Sequence, residues 1–146
     1  MSGLEGLYRE LILDHSRDPV GKGDPSGEAH THHELNPSCG DEITMGVTVG
    51  EDGAIRSLVW DGQGCSISMA SASIMSELLE GADRDAALER VAEFREMLRS
   101  RGAVEPPESL GDAAAFQGVA KYVMRMKCAM LGWVALEACL RASRTV

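Results

Sequence analysis

Three cysteines in this chain stand in settings suited to metal binding or thiol chemistry. Cys39 lies in Asn36-Pro37-Ser38-Cys39-Gly40-Asp41, where one glycine separates a thiol from a carboxylate. Gly40 removes a side-chain obstacle and permits unusual backbone angles, so both groups can aim at one point. Cys65 follows Gly62-Gln63-Gly64 and precedes a run of small residues. A thiol placed there, between a strand end and a helix start, is favoured as thiolate by the positive end of the helix dipole. Cys128 follows Arg125, Met126 and Lys127. Two nearby cations at a helix start are expected to lower its pKa. Each segment also has a plainer reading: a simple turn for the first, a buried apolar cysteine for the second, and a surface charge pair beside an ordinary cysteine for the third.

Taken together, the plainer readings lose ground. Cys39, Cys65 and Cys128 with Asp41 make four ligands, the number zinc takes in a tetrahedral site. Three thiolates, a carboxylate and Zn²⁺ would leave the site negative, which Arg125 and Lys127 would partly offset. No CxxC pair occurs, so distant segments must be brought together by the fold. Cys139 shares a helix with Cys128 but lies about 16 Å farther along the axis, out of reach of the same ion. It reads as core. His30, His32 and His33 read as part of a polar edge strand or loop rather than a metal tract, and His15 closes the first helix.

The elements that must position these groups follow from periodicity. Leu4, Leu7, Tyr8, Leu11 and Ile12 recur at helical spacing over residues 4–15. Pro19, Gly21, Gly23, Pro25 and Gly27 mark a loop, and residues 29–35 suit an edge strand. Ile43, Met45, Val47 and Val49 alternate with polar or small residues. A turn at Gly50-Glu51-Asp52-Gly53 and a run holding Ile55, Leu58 and Trp60 complete a hairpin that ends before Cys65. Ile67, Ala70, Ile74 and Leu78 then share a helical face, and the small residues Ser68 to Ser73 let that helix approach the sheet closely. A second helix starts at Asp83 as N-cap and carries Leu88, Val91, Phe94 and Leu98. A short helical piece over 112–122 and a last helix from about Lys127 to Ser143 finish the chain. The fold class is α+β: a small antiparallel three-stranded sheet packed against several helices.

Composition narrows the function. The chain has 146 residues, enough for one domain with one core, here residues 1–146. Aromatics are only 4%, so aliphatic side chains, alanine and methionine must fill the interior. Acidic residues outnumber basic ones 23 to 14, which argues against a nucleic-acid partner. No apolar run approaches the roughly 20 residues of a membrane span, and no leader pattern opens the chain. The expectation is a cytoplasmic protein.

The segments Asn36–Asp41, Gly62–Ser73 and Arg125–Trp133, in that order, resemble the SufU family within the IscU-like scaffold fold, and the resemblance covers nearly the whole chain. It implies zinc on Cys39, Asp41, Cys65 and Cys128, with a SufS-type cysteine desulfurase as partner and downstream Suf iron–sulfur assembly machinery beyond it. In that family picture the desulfurase carries pyridoxal phosphate and supplies a histidine that replaces one zinc ligand. The first cysteine, here Cys39, is thereby freed to accept persulfide sulfur. Arg125 matches a family position near the site and would steady thiolate or persulfide charge. IscU-type scaffolds usually place His before the third cysteine, where this chain has Lys127. That departure favours zinc-dependent sulfur transfer over the alternative, assembly of a [2Fe–2S] cluster on the same cysteines. A structural zinc module that only binds a partner is the non-enzymatic alternative.

Overall fold

The computed structural model describes residues 3–143, with side chains from residue 6 onward. The Leu4 side chain therefore lies outside the described residues. Helix α1 (Gly3–Arg17) leads through a loop and a short 3-10 turn (Pro25–Gly27) into three strands: β1 (His30–Asn36), β2 (Asp41–Val49) and β3 (Ile55–Gln63). Helices α2 (Ser66–Leu79) and α3 (Arg84–Arg99) follow, then a 3-10 segment (Glu108–Lys121) and helix α4 (Val123–Ala142).

The sheet is antiparallel in the order β1-β2-β3. The expected edge strand at 29–35 is present as β1. Ile43, Met45 and Val47 on β2 and Leu58 and Trp60 on β3 are fully or almost fully buried, which is the alternation a one-sided sheet requires. The outer edge of β3 is partly covered by the loop after α1: Gly23 N–H donates to the Trp60 carbonyl at 2.8 Å and Trp60 N–H to Gly21 at 3.0 Å. Asp83 caps α3 as expected, its carboxylate accepting from the Asp85 and Ala86 amides.

The small residues of α2 do more than allow close approach. Ser71 Oγ donates to the Ala129 carbonyl at 2.6 Å and accepts from Trp133 Nε1 at 3.0 Å, joining α2 to α4. Ser73 Oγ pairs with His15 Nδ1 at 2.6 Å and accepts from Val20 N–H at 2.7 Å. His15 thus ties α1 to α2 rather than merely ending its own helix. Four of the six aromatics lie inside: Trp60, Trp133, Phe94 and Phe116 are all fully buried. Phe94 stacks on Trp133 with centroids 4.1 Å apart and meets Phe116 edge-on at 6.0 Å. Phe94→Ala should therefore cost about 3–5 kcal/mol in chemical denaturation, by cavity formation and loss of that stack. A loss below about 1 kcal/mol would show that the α3–α4 seam repacks freely.

Two boundaries differ from expectation. The last helix starts at Val123 rather than near Lys127, because Tyr122 is extended and the helix simply begins without a side-chain cap. Its first residues, Val123 and Met124, are half exposed, so no amphipathic pattern announces them. The piece expected over 112–122 is 3-10 in character and begins earlier, at Glu108, with a kink at Gly111.

Candidate metal centre

Asn36 and Asp41 close the β1–β2 ladder as its last cross-strand pair, and Cys39 sits in the turn between them. The turn is held by the Asn36 carbonyl, which accepts from Gly40 N–H at 2.8 Å and from Cys39 N–H at 3.3 Å. Gly40 has φ 75°, a left-handed conformation that glycine takes without strain. Asp41 begins β2 and is only 3% exposed. Cys65 is the N-cap residue of α2, as its position between strand and helix suggests. Cys128 lies in the second turn of α4 and is 2% exposed.

The fold brings these groups together. The Cys39 and Cys128 sulfurs are 3.5 Å apart, and with an Asp41 oxygen they form a set whose donor atoms all lie within 4.8 Å of one another. Cys65 joins through the carboxylate: its Sγ is 3.4 Å from Asp41 Oδ2, and its backbone N–H donates to Oδ1 at 3.1 Å. Gly64 is needed for this approach, since a Cβ there would meet Asp41 Cγ at 2.6 Å. Ser68, one helical turn after Cys65, donates to Asp41 Oδ2 and lies 3.6 Å from the Cys65 sulfur. In the sequence Ser68 reads only as a small packing residue. The signal was its three-residue spacing from Cys65, which puts both on one face of α2.

The electrostatics of this set suit a cation. Burial works to raise the Asp41 carboxyl, but hydrogen bonds from Ser68 and from the Cys39, Cys128 and Cys65 thiols together hold it below the usual carboxylate range. The buried carboxylate has no Lys, Arg or His partner among the described residues. Cys128 is pushed far up, first by burial and then by hydrogen bonding to Cys39 and the charge of Cys65. A buried anion beside a thiol whose ionisation burial opposes is an environment in which a divalent ion would supply the missing positive charge. Two or three sulfur donors with one carboxylate oxygen match the ligand types zinc takes.

The expectation that Arg125 and Lys127 would lower the Cys128 pKa is not met. Both are exposed, and Cys128 lies beyond the first turn of α4, outside the reach of the helix-end effect. Arg125 makes no hydrogen bond or ion pair among the described residues. Cys139 is buried in the core, its thiol 3.5 Å from the Met45 carbonyl, and burial raises its pKa to about 11. The histidines of β1 are not part of that donor set: His32 pairs with Glu34 at 2.7 Å and His33 approaches Glu42 at 3.6 Å.

Known proteins resemble this chain along most of its length. The family model described as the NifU-like N terminal domain matches residues 7–140. The chain is 38% identical to the zinc-dependent sulfurtransferase SufU of Bacillus subtilis, over 93% of this chain and 90% of that protein. It is 36% identical to the iron–sulfur cluster assembly scaffold protein IscU of Streptococcus pyogenes, over 98% of this chain and 88% of that one. A crystal structure assigned to an iron–sulfur cluster assembly scaffold of the SUF system from Fervidobacterium islandicum superposes with a TM-score of 0.79. It is 32% identical and covers 94% of this chain and 99% of that chain. No described helix is long and apolar enough to cross a membrane.

Proposed function

The chain belongs to the NifU-like N-terminal domain family, and from that premise we propose that it is a zinc-dependent sulfurtransferase. It would accept persulfide sulfur from a SufS-type cysteine desulfurase and pass it to downstream Suf machinery for iron–sulfur cluster assembly. Cys39, Asp41, Cys65 and Cys128 hold the ion. Bound zinc keeps the ligand thiols deprotonated near neutral pH while damping their reactivity.

The observation that carries this reading is the unequal exposure of the three thiols. Cys39 is exposed on its turn, Cys65 is half-buried and Cys128 is buried. An incoming persulfide borne by a partner meets Cys39 first. The Cys39 thiolate attacks the outer sulfur of the donor persulfide, a new S–S bond forms on Cys39, and the donor cysteine leaves as thiolate. No net oxidation is required. Asp41, anchored by Ser68 and the Cys65 amide, stays in place while Cys39 moves. Arg125 precedes Cys128 by one helical turn on the same face of α4, where it offers positive charge to the anionic persulfide.

The second reading is a [2Fe–2S] scaffold on the same cysteines, favoured by the 36% identity to an IscU scaffold protein. Lys127, which would replace the usual histidine of such scaffolds, is exposed and speaks for sulfur transfer. Metal analysis after purification without oxygen separates the two. Zinc equimolar with the chain is expected; iron with acid-labile sulfide would favour the scaffold.

A further inference from the structure

Asn36 is 6% exposed, and its side-chain nitrogen Nδ2 has no hydrogen-bond partner among the described residues. Its other polar atoms are committed. Oδ1 accepts from Ser38 N–H at 3.1 Å, and the backbone carbonyl holds Cys39 and Gly40. The bond from Ser38 also decides which end of the amide is oxygen, and it leaves Nδ2 without a partner in the turn. A buried donor left without an acceptor is costly, and native structures rarely leave one without a role.

The sheet register says what lies next to it. Asn36 and Asp41 are directly opposite on β1 and β2, so their side chains share one face at cross-strand contact distance. That is the face α4 packs against, and α4 carries Cys128. The donor is thus on the sheet face of Asp41, whose carboxylate belongs to the donor set of the Cys39 and Cys128 sulfurs. Once a cation has deprotonated those thiols, a thiolate sulfur is an acceptor for such an N–H group.

We propose that Asn36 is a positioning residue of the centre: its buried amide nitrogen, beside Asp41 in register, donates a hydrogen bond to the Cys39–Cys128 thiolate pair of the metal-loaded protein. The inference rests on the zinc reading above. The bond draws charge from the sulfur and holds the Cys39 turn closed until a partner displaces it. Without it, the ion is held less tightly and Cys39 is freed more readily.

The test uses full-length, ¹⁵N-labelled protein loaded with ¹¹³Cd in place of zinc. The expected result is a cross-peak between cadmium and one Asn36 side-chain amide proton, with that resonance shifted from its metal-free position. Cadmium bound with a thiolate-type shift but no coupling, and an unmoved Asn36 amide, would overturn the inference while leaving the metal site intact. Failure to bind cadmium at all would instead remove the zinc reading. Asn36→Asp gives a second readout, because it keeps the acceptor for Ser38 N–H and removes the donor. Zinc affinity by chelator competition should fall about 10- to 100-fold, the usual effect of losing a partner to a ligand. Affinity equal to that of the parent would mean that Asn36 serves the turn alone.

Discussion

Cys39→Ser is expected to abolish sulfur acceptance while leaving the fold in place. The residue is exposed on a turn whose geometry comes from the Asn36 carbonyl and Gly40, not from the thiol. Its loss should leave cooperative unfolding within about 0.5 kcal/mol in the metal-free protein, as for other surface changes. Serine keeps the size of the side chain but is neither a strong nucleophile at neutral pH nor a soft ligand. Stimulation of a cysteine desulfurase by this chain should then drop by roughly 10²-fold or more, because the remaining site thiols are half-buried at Cys65 and buried at Cys128. Cys65→Ser should act differently, lowering metal content first and transfer second. If Cys39→Ser kept full stimulation, Cys39 would not be the acceptor, and a purely structural zinc module would become the better description.

Gly64→Ala should be nearly as damaging, although it removes no ligand. The added Cβ would stand 2.6 Å from Asp41 Cγ, 2.7 Å from its Oδ1 and 2.9 Å from its Cβ. These are not the free end of a flexible side chain. Asp41 is pinned by the Cys65 amide at 3.1 Å and by Ser68. Relief requires either turning the carboxylate out of the donor set or shifting the turn that carries Cys65. Overpacking of this kind costs about 1–3 kcal/mol, and zinc affinity should fall about 10- to 100-fold, as when a ligand's support is lost. Gly118→Ala provides the control, since a Cβ there meets nothing within 4 Å. Competition with a chromophoric chelator checks both. Equal affinities for the two variants would show that Asp41 does not take part in binding.

Much of the fold is legible in the chain because its local signals agree. The alternation of Ile43, Met45 and Val47, the glycine-rich turn after Val49 and the Asp83 cap each mark a boundary that the structure keeps. The start of α4 is not legible, because Val123 and Met124 are half exposed and no capping side chain precedes them. The 3-10 character of Glu108–Lys121 is hidden for a related reason: an alanine-rich stretch carries little information about hydrogen-bond spacing.

The candidate centre divides along the same line. Two of the cysteine-bearing segments stand out by position as well as residue type, since Cys39 lies in the β1–β2 turn and Cys65 at the start of α2, whereas Cys128 lies a turn inside α4. Their convergence does not stand out, because Cys39 and Cys128 are 89 positions apart yet their sulfurs lie 3.5 Å from each other. The electrostatics of the centre are not legible in the sequence. Proximity in sequence made Arg125 and Lys127 look like partners of Cys128, whereas burial and neighbouring sulfur dominate that thiol. Ser68 and the Asn36 amide gain their meaning only from the faces they share with Cys65 and Asp41.

On the proposed function, the Cys39 sulfur is the atom that takes sulfur from the donor. Zinc-loaded protein incubated with a SufS-type desulfurase and cysteine, then trapped and mapped by peptide mass spectrometry, tests it most directly. One additional sulfur on the peptide containing Cys39, absent from those containing Cys65 and Cys128, is the result expected. Sulfur on Cys65 or Cys128 instead, or on none of the three while the desulfurase turns over, would contradict it.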